Sequence, residues 1–168
     1  MMKKRIIALG ALAAASALAV ASAATASSQV PFSASLSGTV TDTPCGFLAI
    51  CLTGTDQGTA THLGLVTLTK SATIQITFAA CDDGGLLTTY AETGMLVAAN
   101  GDTLSLSGGG TACVVNGHAL ASGVLMVTGG SGRFSGAGGT LAESIDHNLV
   151  TDTEAVSLSG TISSPGSA

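Results

Sequence analysis

The residues best placed to do chemistry are Tyr90 and Glu92, a phenol and a carboxyl two positions apart within Leu86–Ala99, a stretch that can hold one long strand. Side chains two apart on a strand share a face. If that face lines an apolar interior, burial raises the Glu92 pKa and fits it for acid–base work, with Tyr90 alongside. If it faces water, both are ordinary exposed side chains. Thr88 and Gly94 share the face while Leu87, Ala91 and Met95 lie opposite, and this distribution favours the solvent face.

Other constellations lead away from catalysis. Ser131 sits in Gly129-Gly130-Ser131-Gly132-Arg133, which lacks the last glycine and the following helix of a nucleophile elbow, so it reads as a turn serine. The same glycines miss the dinucleotide pattern because Ser135 stands where its third glycine belongs. His62, His118 and His147 are dispersed, without the close spacing of a metal site, and His62 reads as a structural hydrogen-bonding residue. Asp82, Asp83 and Asp102 read as turn-associated, and Arg133 as a solvated turn residue. No catalytic residue, metal or cofactor is expected, with Tyr90 and Glu92 kept as lumen candidates.

Cys45, Cys51, Cys81 and Cys113 are an even set. The leader explains why they read as disulfides. Lys3, Lys4 and Arg5 precede an alanine-rich apolar run and the small-residue pattern Ala21-Ser22-Ala23, which together resemble a secretory signal over 1–23. An exported chain with an even cysteine count is expected to form disulfides. Of three possible connectivities we expect Cys45–Cys51, closing a small loop, and Cys81–Cys113, tying two strand ends. The chain-entropy argument gives them roughly 2.5 and 3.5 kcal/mol of stabilisation.

Without the leader only Lys70 and Arg133 remain of the five basic residues, against all ten acidic ones, a net charge of −8. Nucleic acid and anionic membranes call for the opposite sign. The expected location is secreted, extracellular or periplasmic, with no membrane span in the mature chain. An outer-membrane barrel would show aromatic girdles, and the five mature aromatics (Phe32, Phe47, Phe78, Tyr90 and Phe134) form none. Oligomeric state is not readable.

The elements that must position these residues are strands. Phe32–Val40 alternates with period two, as does Ala72–Ala80 through Ile74, Ile76 and Phe78. Thr41–Gln57, with Pro44 and the first cysteine pair, reads as a stapled loop. Gly58–Thr69 resumes strand character, and Lys70-Ser71 reads as a tight turn into Ala72. Asp82–Gly85, Asn100-Gly101 and Asn116-Gly117 are turn signals. Asp102–Ser107, ended by Gly108–Gly110, then His118–Thr128, Thr140–Ile145 and Thr153–Ile162 complete about eight strands with no convincing helix. The expectation is an all-β, eight-stranded antiparallel up-and-down barrel, disulfide-stapled, over 32–163. A short segment 24–31 precedes it and a tail 164–168 follows. Ser35–Val40 and Ser157–Ile162 are near copies, which suits neighbours that close a barrel and equally suits shared strand composition.

Thr128–Gly139 combines a turn and a strand rich in glycine, with Gly129, Gly130, Gly132, Gly136 and Gly138 around the single aromatic Phe134. Such density is expected where backbone passes close to a neighbour, and valine at Gly136 or Gly138 is expected to impair folding. The motif resembles a signature of the allene oxide cyclase and dirigent barrels, a Gly-Gly-Ser-Gly-x-Phe hairpin followed by a Gly-Ala segment. Gly58-Thr59-Ala60-Thr61-His62-Leu63-Gly64 is similar to a segment of small secreted bacterial proteins of this type. The resemblance implies a barrel, and relatives that cyclise a fatty-acid epoxide or steer phenol coupling. It carries no pocket residue onto this chain. The first expectation is a non-catalytic binding or scaffold module for a small apolar or phenolic ligand. The alternatives are an isomerase or cyclase acting in the lumen, and a structural envelope or matrix protein.

Overall fold

A computed structural model describes residues 28–82 and 84–163. The expected signal segment 1–23, residues 24–27 of the segment 24–31, Asp83 and the tail 164–168 lie outside the described residues. The elements are β1 (Gln29–Gly46), β2 (Ala49–Ala60), β3 (Gly64–Ala80), β4 (Leu86–Ala98), β5 (Thr103–Val115), β6 (His118–Ser131), β7 (Gly139–Asn148) and β8 (Thr153–Ser163). Each strand pairs antiparallel with the next, and β1 pairs with β8, so the sheet closes as an eight-stranded up-and-down barrel. The near-copied end strands are the closing neighbours, with Ser35 opposite Ser157 and Leu36 opposite Val156. Closure leaves no free sheet edge.

The strand count agrees with expectation although the boundaries do not: β1 begins at Gln29, ahead of the expected start at Phe32, and three further segments differ. Thr41–Gln57 is no loop: β1 and β2 form a long hairpin in which Asp42 faces Leu52 and Pro44 faces Ile50. Lys70-Ser71 is no turn. It lies in the middle of β3, with Lys70 paired to Gly54 on one side and Gly94 on the other. Gly108–Gly110 does not end β5 either, because the strand runs on to Val115. A Cβ at Gly108 or Gly110 would collide with the carbonyl oxygens of Val124 and Ser122, so glycine lets β5 and β6 approach closely here.

Both expected disulfides are present. Cys45–Cys51 staples the β1–β2 hairpin with a Cα separation of 5.6 Å, and Cys81–Cys113 ties the β3–β4 connection to β5 at 5.9 Å. Both lie at the same end of the barrel, where the β5–β6 and β7–β8 turns also sit.

The opposite end is packed shut. Leu68, Leu96, Leu104, Leu125, Leu141 and Leu158 fill it, all at or below 1 % exposure. The motif Thr128–Gly139 makes the plug. Thr128 is the extra residue of a bulge between Ser105–Gly129 and Leu106–Val127, after which Gly132–Phe134 forms a single 3-10 turn. That turn drives Phe134 into the core. Burying such a ring stabilises by roughly 1.5–3 kcal/mol. Arg133 is not merely solvated: its Nε donates to Asp102 Oδ2 at 2.7 Å and its other nitrogen Nη2 to the His62 carbonyl at 3.2 Å, lacing three turns together. The close approaches in the motif fall at Gly130, against the Thr103 carbonyl, and at Gly132, against Asp102. Gly136 needs its positive φ of 72° and has open space around it. Gly138 has neither constraint, so the close-approach expectation is corrected there and moves to Gly139, whose Cβ would strike the Thr161 carbonyl.

Candidate functional site

Between the leucine-filled end and the disulfide-bearing end the barrel changes character. The inward positions of β3 run Val66, Leu68, Lys70, Ala72, Ile74, so the alternation that buries leucine also buries a lysine. The same phase on β4 places Thr88, Tyr90, Glu92, Gly94 and Leu96 inward, on β7 Leu141, Glu143, Ile145 and His147, and on β8 Glu154 and Val156. β2 contributes Asp56. The face of Tyr90 and Glu92 is therefore the lumen, not the solvent face that the neighbours Leu87, Ala91 and Met95 favoured. Glycine makes the room: a Cβ at Gly123 would press on the Tyr90 hydroxyl, and one at Gly54 would lie 3.2 Å from both Glu154 Oε1 and Lys70 Cε.

These groups form one polar layer. Lys70 Nζ donates to Glu154 Oε2 at 2.9 Å, and both side chains are 1 % exposed. Tyr90 Oη donates to Glu143 Oε2 at 2.8 Å. Asp56 is fully buried, and neither of its carboxyl oxygens meets an N–H or O–H donor of the protein; Glu154 Oε1 and Glu143 Oε1 are likewise without one. A carboxyl without a donor partner relieves its cost by holding a proton. Burial, then the negative charge of Glu154, pushes Asp56 up to about 7, and with that proton Asp56 can hydrogen-bond Glu154. Burial and the Glu143 charge push Glu92 up to about 8, and its proton in turn serves Glu143. Glu143 is raised by burial against the hydrogen bond from Tyr90, and the Tyr90 hydroxyl is raised well above the usual phenol range, first by burial and then by Glu143. Burial opposes the charge on Lys70, yet Glu154 and Glu92 outweigh it and hold the ammonium firmly protonated. A lysine so held is no nucleophile.

Above this layer lies a cavity of about 220 Å³, walled by Leu52, Ala72, Ile74, Ala112, Ala121 and Ile145, with Lys70, Tyr90, Glu92 and Glu154 at its polar base. Asp42, its carboxyl raised by burial against the lowering pull of His147, and His147 itself line the cavity, and the His147 Nε2 is buried without a partner. The cavity reaches the disulfide-bearing end, where Ile76, Leu86, Val114 and Leu149 belong to its wall. Exposed Phe47, Phe78 and Val150 stand on the turns and strand ends of that end.

The remaining sequence candidates do not converge on this site. His62 occupies the β2–β3 turn, with Nε2 3.0 Å from the Pro31 carbonyl. His118 lies outside the barrel against Asp146 at 2.6 Å. Among the described residues no three histidine, cysteine or acidic side chains gather as a metal site, and no helix is long and apolar enough to cross a membrane. Asp56, Lys70, Glu143, Glu154 and His147 went unrecognised as site residues, although each stands in phase with apolar neighbours on its own strand. A lone charge on an apolar face was the available signal. No protein-family model matches this chain, and neither curated proteins nor solved structures yield a match.

Proposed function

We propose that this protein is a lumenal binding module for a compact apolar ligand carrying one polar head, working outside the cytoplasm. The observation that carries the reading is the cavity: apolar walls over a base of convergent polar groups, the usual composition of a small-molecule site. Its size selects the ligand. A dry cavity of about 150 Å³ admits benzene, so 220 Å³ suits a single ring with a short side chain, phenolics included. The two disulfides support an oxidising compartment and hold the mouth of the site. Thermal-shift and native mass-spectrometry titrations against single-ring compounds and long-chain lipids test this. Stabilisation by the rings and not by the lipids is the expected result; no response to any apolar compound would count against it.

A second reading is an isomerase or cyclase resembling the allene oxide cyclases, and a specific observation favours it. Glu92 holds its proton to about pH 8 beside a phenol and an apolar wall, as a general acid facing a bound oxygen would. The enclosed volume ranks this second, because a long-chain epoxide would have to leave most of its chain outside. Unchanged product distribution from an allene oxide generated in situ, with and without the protein, would remove it.

A further inference from the structure

The inventory of donors and acceptors at the cavity base is lopsided. The donors facing it are the Lys70 ammonium, committed to Glu154, and the Tyr90 hydroxyl, committed to Glu143. Against them on the cavity wall stand the carboxyls of Glu92 and Glu154, with Glu154 Oε1 buried and meeting no N–H donor of the protein, beside the unpartnered ring nitrogen His147 Nε2; the carboxyls of Asp56 and Glu143 lie in the layer behind. Four buried carboxyls surround a single ammonium in this layer, so with even half of them protonated negative charge is in excess. An alcohol or phenol would donate one hydrogen bond here, whereas an anion would add to the repulsion. An ammonium supplies up to three donors and the missing charge. The exterior field has the same sign, since the chain beyond the leader carries two basic and ten acidic residues.

Resting on the binding reading above, we infer that the lumen is selective for a small aromatic or compact aliphatic amine, whose ammonium sits at the Glu92–Glu154 base of the cavity and whose apolar body lies against Leu52, Ile74 and Ile145. The polar groups lining the cavity around this position are Asp42 from β1, Lys70 from β3, Thr88, Tyr90 and Glu92 from β4, His147 from β7 and Glu154 from β8, with Asp56 of β2 and Glu143 of β7 buried in the polar layer behind them. β5 and β6 present only glycine and alanine at this level, Gly108, Gly110, Ala112, Ala121 and Gly123. Binding a cation there favours ionised Glu92, so the complex should release protons at neutral pH.

Calorimetry with three probes of matched shape, 2-phenylethylamine, 2-phenylethanol and 3-phenylpropanoate, decides the matter on the intact chain. The amine should bind about tenfold or more tightly than the alcohol, the margin of a charge-assisted hydrogen bond, and the carboxylate should not bind. Repeating the amine titration in phosphate and in Tris at pH 7 should show proton release, and Glu92→Gln should weaken the amine while sparing the alcohol. The buffer comparison needs no variant, so it stands even where Glu92→Gln fails to fold. Alcohol binding as tight as the amine, carboxylate binding, or proton uptake with the amine would overturn the amine inference and leave lumenal binding intact. No binding by any of the three would overturn both.

Discussion

Replacing Lys70 with methionine removes the one cation from the polar layer while keeping an unbranched chain of similar length. Glu154, 1 % exposed, then loses its ammonium at 2.9 Å. Breaking a buried ion pair by deleting one partner costs about 3–5 kcal/mol, chiefly from the charge left behind. For a domain of this size about 4 °C of melting temperature accompanies each kcal/mol, so the variant should melt roughly 12–20 °C lower. The deficit should shrink at acid pH, because Lys70 is among the groups holding Asp56 and Glu92 down, and without it the carboxyls protonate more readily. Adding Glu154→Gln should recover much of the loss, since the amide removes the orphaned charge and still accepts a hydrogen bond from Asp56. Calorimetric melting of wild type, single and double variants at pH 5 and pH 8 reads all three effects. A single variant within about 1 kcal/mol of wild type, or a double variant no more stable than the single, would refute the account of Lys70 as the charge that this layer is built around.

The layer also sets a pH dependence. Glu92 rises from 4.5 to about 8 and Asp56 from 3.8 to about 7 on folding, so between those values the unfolded chain binds fewer protons than the barrel. Stability should therefore fall as pH rises from about 5 to 8, by up to about 1.4 kcal/mol per pH unit for each group. Urea unfolding across that range checks this, and Glu92→Gln should flatten the slope. Replacing both Cys81 and Cys113 with alanine should cost about 3.5 kcal/mol and loosen the cavity mouth, seen as faster hydrogen exchange in β5. Gly138→Ala, which meets nothing within 4 Å, should leave the melting temperature within about 2 °C of wild type, whereas Gly139→Ala should abolish folding. Phe134→Ala should cost about 3–5 kcal/mol by emptying the plug, measured by the same unfolding curves.

Period-two alternation and paired turn signals were enough to reveal an eight-stranded barrel, because closure constrains every strand to one buried face. The cysteine pairing followed from parity and loop length. Lys70 misled the reading for a physical reason: a charged residue beside serine looks like a turn when the strand is read alone. Only closure of the barrel shows that Glu154, on β8, meets it across the lumen. Tyr90 and Glu92 misled it similarly, since the mouth half of β4 puts its polar side chains Thr88, Tyr90 and Glu92 inward and Leu87 and Ala91 outward, against the usual sense. Farther along, Leu96 and Ala98 share the Glu92 face and are buried, so reading the strand to its end gives the correct phase. Proton sharing between carboxyls on different strands has no local sequence signature at all. Nor does the open space at Gly138, which depends on where the following turn travels.

Isoleucine methyl groups report on the central claim most directly, because Ile50, Ile74, Ile76 and Ile145 line the cavity while Ile162 is fully buried at the closed end. Methyl NMR spectra recorded during titration with 2-phenylethylamine should show saturable shifts for the first four and none for Ile162. Cavity methyls unmoved by millimolar 2-phenylethylamine and by millimolar 2-phenylethanol alike, or shifts spread equally over all five, would contradict a ligand-binding lumen.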